Sequence, residues 1–189
     1  MTKDRMTEVS KENIGSAPTV EQHLRATRFW LGVVMAGLFL SGITAFPLET
    51  ELRFFLILLQ SDPVRPLAEV SHLLPWISRV YNALASTNQH YPFLAYGTDW
   101  LAFAHLVIAV AFIGPYRDPI RNKWIITFGL IACAGVIPLA LIAGQIRGLP
   151  IVWRFVDCSF GIFGAIPLVF CRRHILAMER AEQGTGSLQ

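Results

Sequence analysis

Four apolar stretches alternate with polar segments along this chain, at residues 29–46, 98–114, 124–144 and 152–171. An α-helix rises about 1.5 Å per residue, so about 20 apolar residues match the ~30 Å hydrocarbon core of a bilayer. Each stretch therefore reads as a membrane-spanning helix. The last is the most informative. It lies within PIVWRFVDCSFGIFGAIPLVFCRR and carries Arg154 and Asp157 near one end.

The segments between the stretches have their own patterns. Residues 1–28 are polar and include Gly15, Ser16 and Pro18, which predicts a mobile tail, helical from Val20 onward. The first apolar stretch lacks a small-x-small cleavage pattern, so it is expected to be a retained anchor. Within it Gly32 and Ala36, and then Gly37, Ser41 and Ala45, repeat at four, a spacing that lets helix backbones approach closely in lipid. Trp30 suits an interfacial position, and Pro47 should end the helix.

Residues 48–96 form a long connection. LRFFLILL is strongly apolar but too short to span. After Pro63 and Pro66, the positions Leu67, Val70, Leu74, Ile77, Tyr81 and Leu84 follow helical spacing, with Glu69, Ser71, Arg79 and Asn82 elsewhere on the wheel. Pro75 should kink or split this segment. The pattern predicts an amphipathic helical insert on the membrane surface; a lid over the bundle is the sharper alternative. YPFLAY then forms an aromatic collar before the second span. Pro138 and Pro167 sit inside the third and fourth spans and predict kinks. Residues 176–189 should begin helical and end disordered.

Composition supports the membrane reading. The 189 residues are 53% hydrophobic and 15% charged, where soluble domains carry about 25% charge. The expected fold class is all-α: an integral membrane four-helix bundle, residues 29–175, with an amphipathic external insert between the first and second spans. Eleven of the sixteen Lys and Arg residues lie in the N-terminal tail, the loop between the second and third spans and the C-terminal tail. The positive-inside rule then places both termini in the cytoplasm, and the insert outside the cell membrane. A net charge of +3 is too small and scattered to indicate nucleic acid. The bilayer is the expected partner, together with a second copy or another membrane subunit.

Candidate chemistry gathers at the outer ends of the spans: Glu49 and Glu51 after the first, Thr98 and Asp99 opening the second, Gln145 and Arg147 closing the third, Arg154 and Asp157 in the fourth. Arg154 and Asp157 are three apart and can face each other on one helix. Ionisable residues within a span normally turn to the bundle interior and find a partner. One expectation is an ion-pair network of Arg147 and Arg154 with Asp99 and Asp157 that clamps the helix ends. The other is a ligand or ion site formed by Asp99, His105, Arg147, Arg154 and Asp157. His105 lies mid-span about 10 Å deeper than Asp99. No second histidine lies within a span, which disfavours a haem held by two histidines. A metal site using His105, Asp99, Asp157 and a Glu is chemically possible, but no spacing specifies it.

Cys133, Cys158 and Cys171 lie in apolar stretches without a CxxC pair and read as packing residues. Asp118, in the loop between the second and third spans, is expected to cap a turn, and its basic neighbours can contact lipid phosphate. Gly161, Gly164 and Ala165 offer a face for helix association. No phosphate-binding loop, nucleophile elbow, zinc-protease motif or dinucleotide fingerprint is present. The sequence therefore specifies no reaction and no cofactor. It leaves two classes: a small accessory or scaffolding membrane subunit, or a membrane enzyme or transporter that takes a small or lipid-like ligand at its outer face.

Overall fold

A computed structural model describes residues 19–70 and 72–186. Every regular element among them is helical. The expected mobility of residues 1–18 and disorder of residues 187–189 fall outside the described residues. Helix α1 spans Val20–Ala45. Thr19 starts it with a reciprocal cap: its hydroxyl accepts from the Gln22 amide at 3.3 Å, and the Gln22 side chain accepts from the Thr19 amide at 2.8 Å. The helix thus begins nine residues before the apolar stretch. Pro47 closes it, and α2, Leu48–Leu59, follows at once.

Two more helices complete the insert, α3 at Arg65–Val70 and α4 at Leu73–His90. The break between them falls at His72, in the left-handed region with φ 55°. Pro75 then sits in the first turn of α4, where a missing amide proton costs nothing. The split expected at Pro75 therefore occurs three residues earlier. Leu59, Ala68 and Ile77 are buried together, and Trp76 and Trp153 pack against them. Asn88 donates to Glu49 at 2.7 Å and ties the end of α4 to the start of α2. Elsewhere on these helices Phe54, Ile57, Leu58, Leu67 and Val70 are exposed.

A 3-10 turn at Pro92–Ala95 leads into α5, Tyr96–Ala111, and the short α6, Ile113–Arg117. The next loop turns on Asp118, whose carboxylate accepts from the Arg121 amide at 3.1 Å. The Asn122 side chain donates to the Gly114 and Asp118 carbonyls. Helix α7, Lys123–Pro138, continues through a π-helical turn at Leu139–Ala143 into α8, Gly144–Ile146. Gly148, at φ +69°, supplies the left-handed residue that turns the chain back. Helix α9 then runs from Ile151 to Gly186.

Four helical stretches are long and apolar enough to cross a membrane: Val20–Ala45, Pro92–Arg117, Lys123–Ile146 and Ile151–Gln183. The start of α1 and the later part of α9 lie together, with His23 and His174 in contact; this is the terminal end of the structure, and the end that carries α2 to α4 is the insert end. Helix α5 packs on α1, α1 on α9, and α9 on α7, while α6 reaches both α1 and α7.

The packing differs between the two ends. At the terminal end Leu31, Phe112, Ile126, Leu168, Cys171, Ile175 and Met178 form one buried cluster drawn from all four stretches. Gly129 permits it, since a Cβ there would lie 2.8 Å from Leu168 and 3.0 Å from Phe112. Toward the insert end the close contacts are pairwise. Gly42 of α1 meets the Ala102 carbonyl and Leu106 of α5. Gly161 of α9 meets the Cys133 carbonyl of α7, where a Cβ would stand 2.5 Å away. The Gly161 and Gly164 face is thus taken up within the chain. Cys158 and Cys171 are buried thiols directed at the Ile137 and Thr27 carbonyls, as packing residues would be.

Candidate functional site

The insert end of α7 and α9 holds the densest set of the predicted polar residues. The π-helical turn after Pro138 widens this part of the third stretch, and such turns in α-helices are frequent at functional sites. Between it and α9 lies a cavity of about 270 Å³, lined by Val136, Leu139, Ala140, Ala143, Gly144, Arg147, Leu149 and Asp157. Six residues there are apolar or glycine, and two carry opposite charges. Asp157 is half-buried and lies six residues into α9, about 9 Å along the axis.

Arg154 does not pair with Asp157, although the spacing allows it. Its guanidinium Nε donates to the Leu149 carbonyl at 2.9 Å, and Nη1 donates to the Gln145 side chain. The reason is local. The chain reverses at Arg147–Pro150, and the arginine satisfies the Leu149 carbonyl within that turn. Gly144 gives it room, since a Cβ on Gly144 would stand 2.9 Å from Arg154 Cγ. Arg154 is thus a strap between the third and fourth stretches. The Asp157 carboxylate and the Arg147 side chain make no hydrogen bond or ion pair among the described residues.

The second part of the predicted cluster lies elsewhere. Asp99 and His105 are on α5, which packs on α1 rather than on α7 or α9. Neither lines the cavity. His105 Nδ1 lies 2.7 Å from the Leu101 carbonyl, one turn back, so Nδ1 donates to it. The Thr98 hydroxyl donates to the Ala95 carbonyl at 2.6 Å. Asp99 has no hydrogen bond or ion pair among the described residues. The proposed four-member ion-pair network therefore does not form in this arrangement. Among the described residues, no group of three or more His, Cys, Asp or Glu is placed to hold a metal ion.

One constellation was not anticipated. His23 of α1 and His174 of α9, 151 positions apart, meet at the terminal end with Nδ1 atoms 2.8 Å apart and ring centroids at 5.1 Å. The sequence signal was their position just outside the apolar stretches, six residues before the first and three after the last. Beside them Thr27 donates to the His23 carbonyl at 2.9 Å. Trp30 stacks on Phe170 with a centroid distance of 5.0 Å and ring planes 12° apart.

The fold and this groove define an all-helical chain whose four apolar helices suit a membrane-embedded protein. No protein-family model, curated protein or solved structure matches it.

Proposed function

We propose that this is a multi-pass cell-membrane protein, with both termini in the cytoplasm, that binds a small or lipid-like ligand in the groove between the third and fourth spans at the outer face. Its helices make an incomplete bundle, closed at the cytoplasmic end and parted at the outer end beneath an interfacial insert. The observation that carries the reading is the state of Asp157. A carboxylate within a span is costly unless paired or functional, and its nearest sequence partner, Arg154, is committed to Gln145 and Leu149. Asp157 instead borders an apolar cavity beside Arg147. An apolar wall with one anion and one cation suits an amphiphile whose polar group carries a positive charge, with Arg147 holding any anionic part.

Native mass spectrometry of the gently solubilised protein tests this. A bound small molecule or lipid in the wild type, lost in Asp157→Asn with the unfolding midpoint retained, is the expected result. A ligand-free wild type, or equal retention in both proteins, would sink the reading.

A second reading, an accessory or scaffolding subunit, rests on a different observation. Cβ atoms added at Gly32 and Gly37 would meet nothing within 4 Å, so the small-residue rows of α1 are not filled by this chain. A partner helix would fit there. A copurifying subunit or second copy that is lost in Gly37→Leu would favour it, and a monomer in every detergent would count against it.

A further inference from the structure

The terminal end carries a second groove between α7 and α9, with a chemistry unlike the first. It has a volume of about 250 Å³. Its floor is Ile126 and Ile175, both buried, and Trp124 and Leu176 form walls that remain exposed. Its rim carries Lys123 and Arg172. We infer that this groove is a binding site for the headgroup of one anionic phospholipid, with its phosphodiester between Lys123 and Arg172 and an acyl chain along Trp124 and Leu176.

Three observations support the assignment. The first is level. Residues 124–146 carry no charge, and neither do residues 158–171, so Lys123 and Arg172 are the charges that end the apolar stretch on each helix. That is the depth of a headgroup, and exposed Trp124 suits the same layer. The second is charge. Lys123 is bound to Glu179 at 2.7 Å, while Arg172 has no hydrogen bond or ion pair among the described residues. Two cations and one carboxylate leave a local excess of one positive charge, which one phosphodiester would balance. The third is shape. A basic rim above an apolar floor between two membrane helices is the form of site that takes anionic lipid headgroups. A simple positive anchor needs only exposed cations and no groove.

The neighbouring basic residues give an internal control. Arg173 is exposed and does not line the groove. The test uses the full chain in nanodiscs of phosphatidylglycerol and phosphatidylcholine in equal parts, followed by native mass spectrometry of the retained lipid. The wild type should retain one phosphatidylglycerol in preference to phosphatidylcholine. Arg172→Gln should weaken that retention about fivefold, the effect of one cation near an anionic surface. Arg173→Gln should leave it unchanged. Glu179→Gln frees Lys123 and should strengthen it. Thr127→Trp keeps both charges but fills the groove, and should abolish retention; unfolding midpoints equal to the wild type in all variants exclude a folding defect. Equal losses in Arg172→Gln and Arg173→Gln, or equal retention of the two lipids, would overturn the assignment. So would complete displacement by inorganic phosphate, which would make the ligand a free anion.

Discussion

The two ends of this molecule use the same four apolar stretches differently. At the terminal end, large side chains from all of them interlock around Leu31, Phe112 and Leu168. At the insert end, pairs of helices touch through glycine, at Gly42 against Ala102 and at Gly161 against Cys133, and a cavity opens beside Asp157. In lipid the apolar solvent gives little drive for helices to associate, so packing and polar contacts decide where they stay together. The terminal end has that packing. The insert end has straps, such as Arg154 to Gln145 and Leu149, that hold two helices while leaving a space between them.

The strongest way to break this contrast is to delete volume at each end. Phe112→Ala should cost about 3 kcal/mol in detergent unfolding, because a fully buried ring is lost from contact with three helices. Leu139→Ala, at an exposed position of the insert end, should change stability by no more than about 0.5 kcal/mol. Equal losses would mean that the two ends are packed alike.

Adding volume comes next. Gly161→Ala puts a Cβ against the Cys133 carbonyl and should destabilise by about 2 kcal/mol, whereas Gly135→Ala, with open space around it, should not. A neutral Gly161→Ala would show that the third and fourth stretches separate freely there.

Smaller again is the strap. Arg154→Gln should cost about 1 kcal/mol, since two charged hydrogen bonds are lost at a half-exposed position. Mobility measured with spin labels on α8 should rise. An unchanged label spectrum would remove the strap from the account.

The smallest expected effect concerns pH and sharpens the terminal end. Two Nδ1 atoms 2.8 Å apart need one proton between them. Burial and the neighbouring His23 hold the His174 pKa below its ordinary value, so only as pH falls below the ordinary imidazole range, near 6.5, is a further proton taken up, and two Nδ1–H groups then repel. Stability at the terminal end should therefore be fully present above that range and decline by up to about 1 kcal/mol as pH falls toward 5. His174→Phe should remove the dependence. A wild type equally stable at pH 5 and 7.5 would show that the contact does not matter.

Much of the layout was legible in the sequence, for reasons tied to particular residues. Apolar length marks a span whatever its neighbours are, so all four stretches could be read directly. Pro47 ends α1 and Asp118 caps its turn, because both effects are local. The helix pairing was not legible. Apolar faces are interchangeable in lipid, and nothing in the local pattern places α1 between α5 and α9. The separation of Asp99 and His105 from the cavity beside Arg147 and Asp157 has the same cause. Asp99 lies toward the same end as Asp157, with His105 about 9 Å deeper, but depth does not determine neighbourhood. Arg154 could face Asp157 by spacing, yet the unsatisfied Leu149 carbonyl is created only when the chain reverses at Gly148. The His23–His174 contact joins residues 151 positions apart, a closure that local pattern cannot show.

Helix α9 is continuous from Ile151 to Gly186. It borders the Asp157 cavity near its start and carries His174 about two-thirds of the way along. At Gly161 an added Cβ would stand 2.5 Å from the Cys133 carbonyl, so the helix rests on its neighbour's backbone there, and a tilt would turn about that contact. From there to His174 is about 20 Å of rod. A tilt of about 5° about that point would move the histidine by about 2 Å, enough to part a hydrogen bond of 2.8 Å. One continuous helix thus links the Asp157 cavity to the histidine pair, so a shift at either place is carried along the same element to the other.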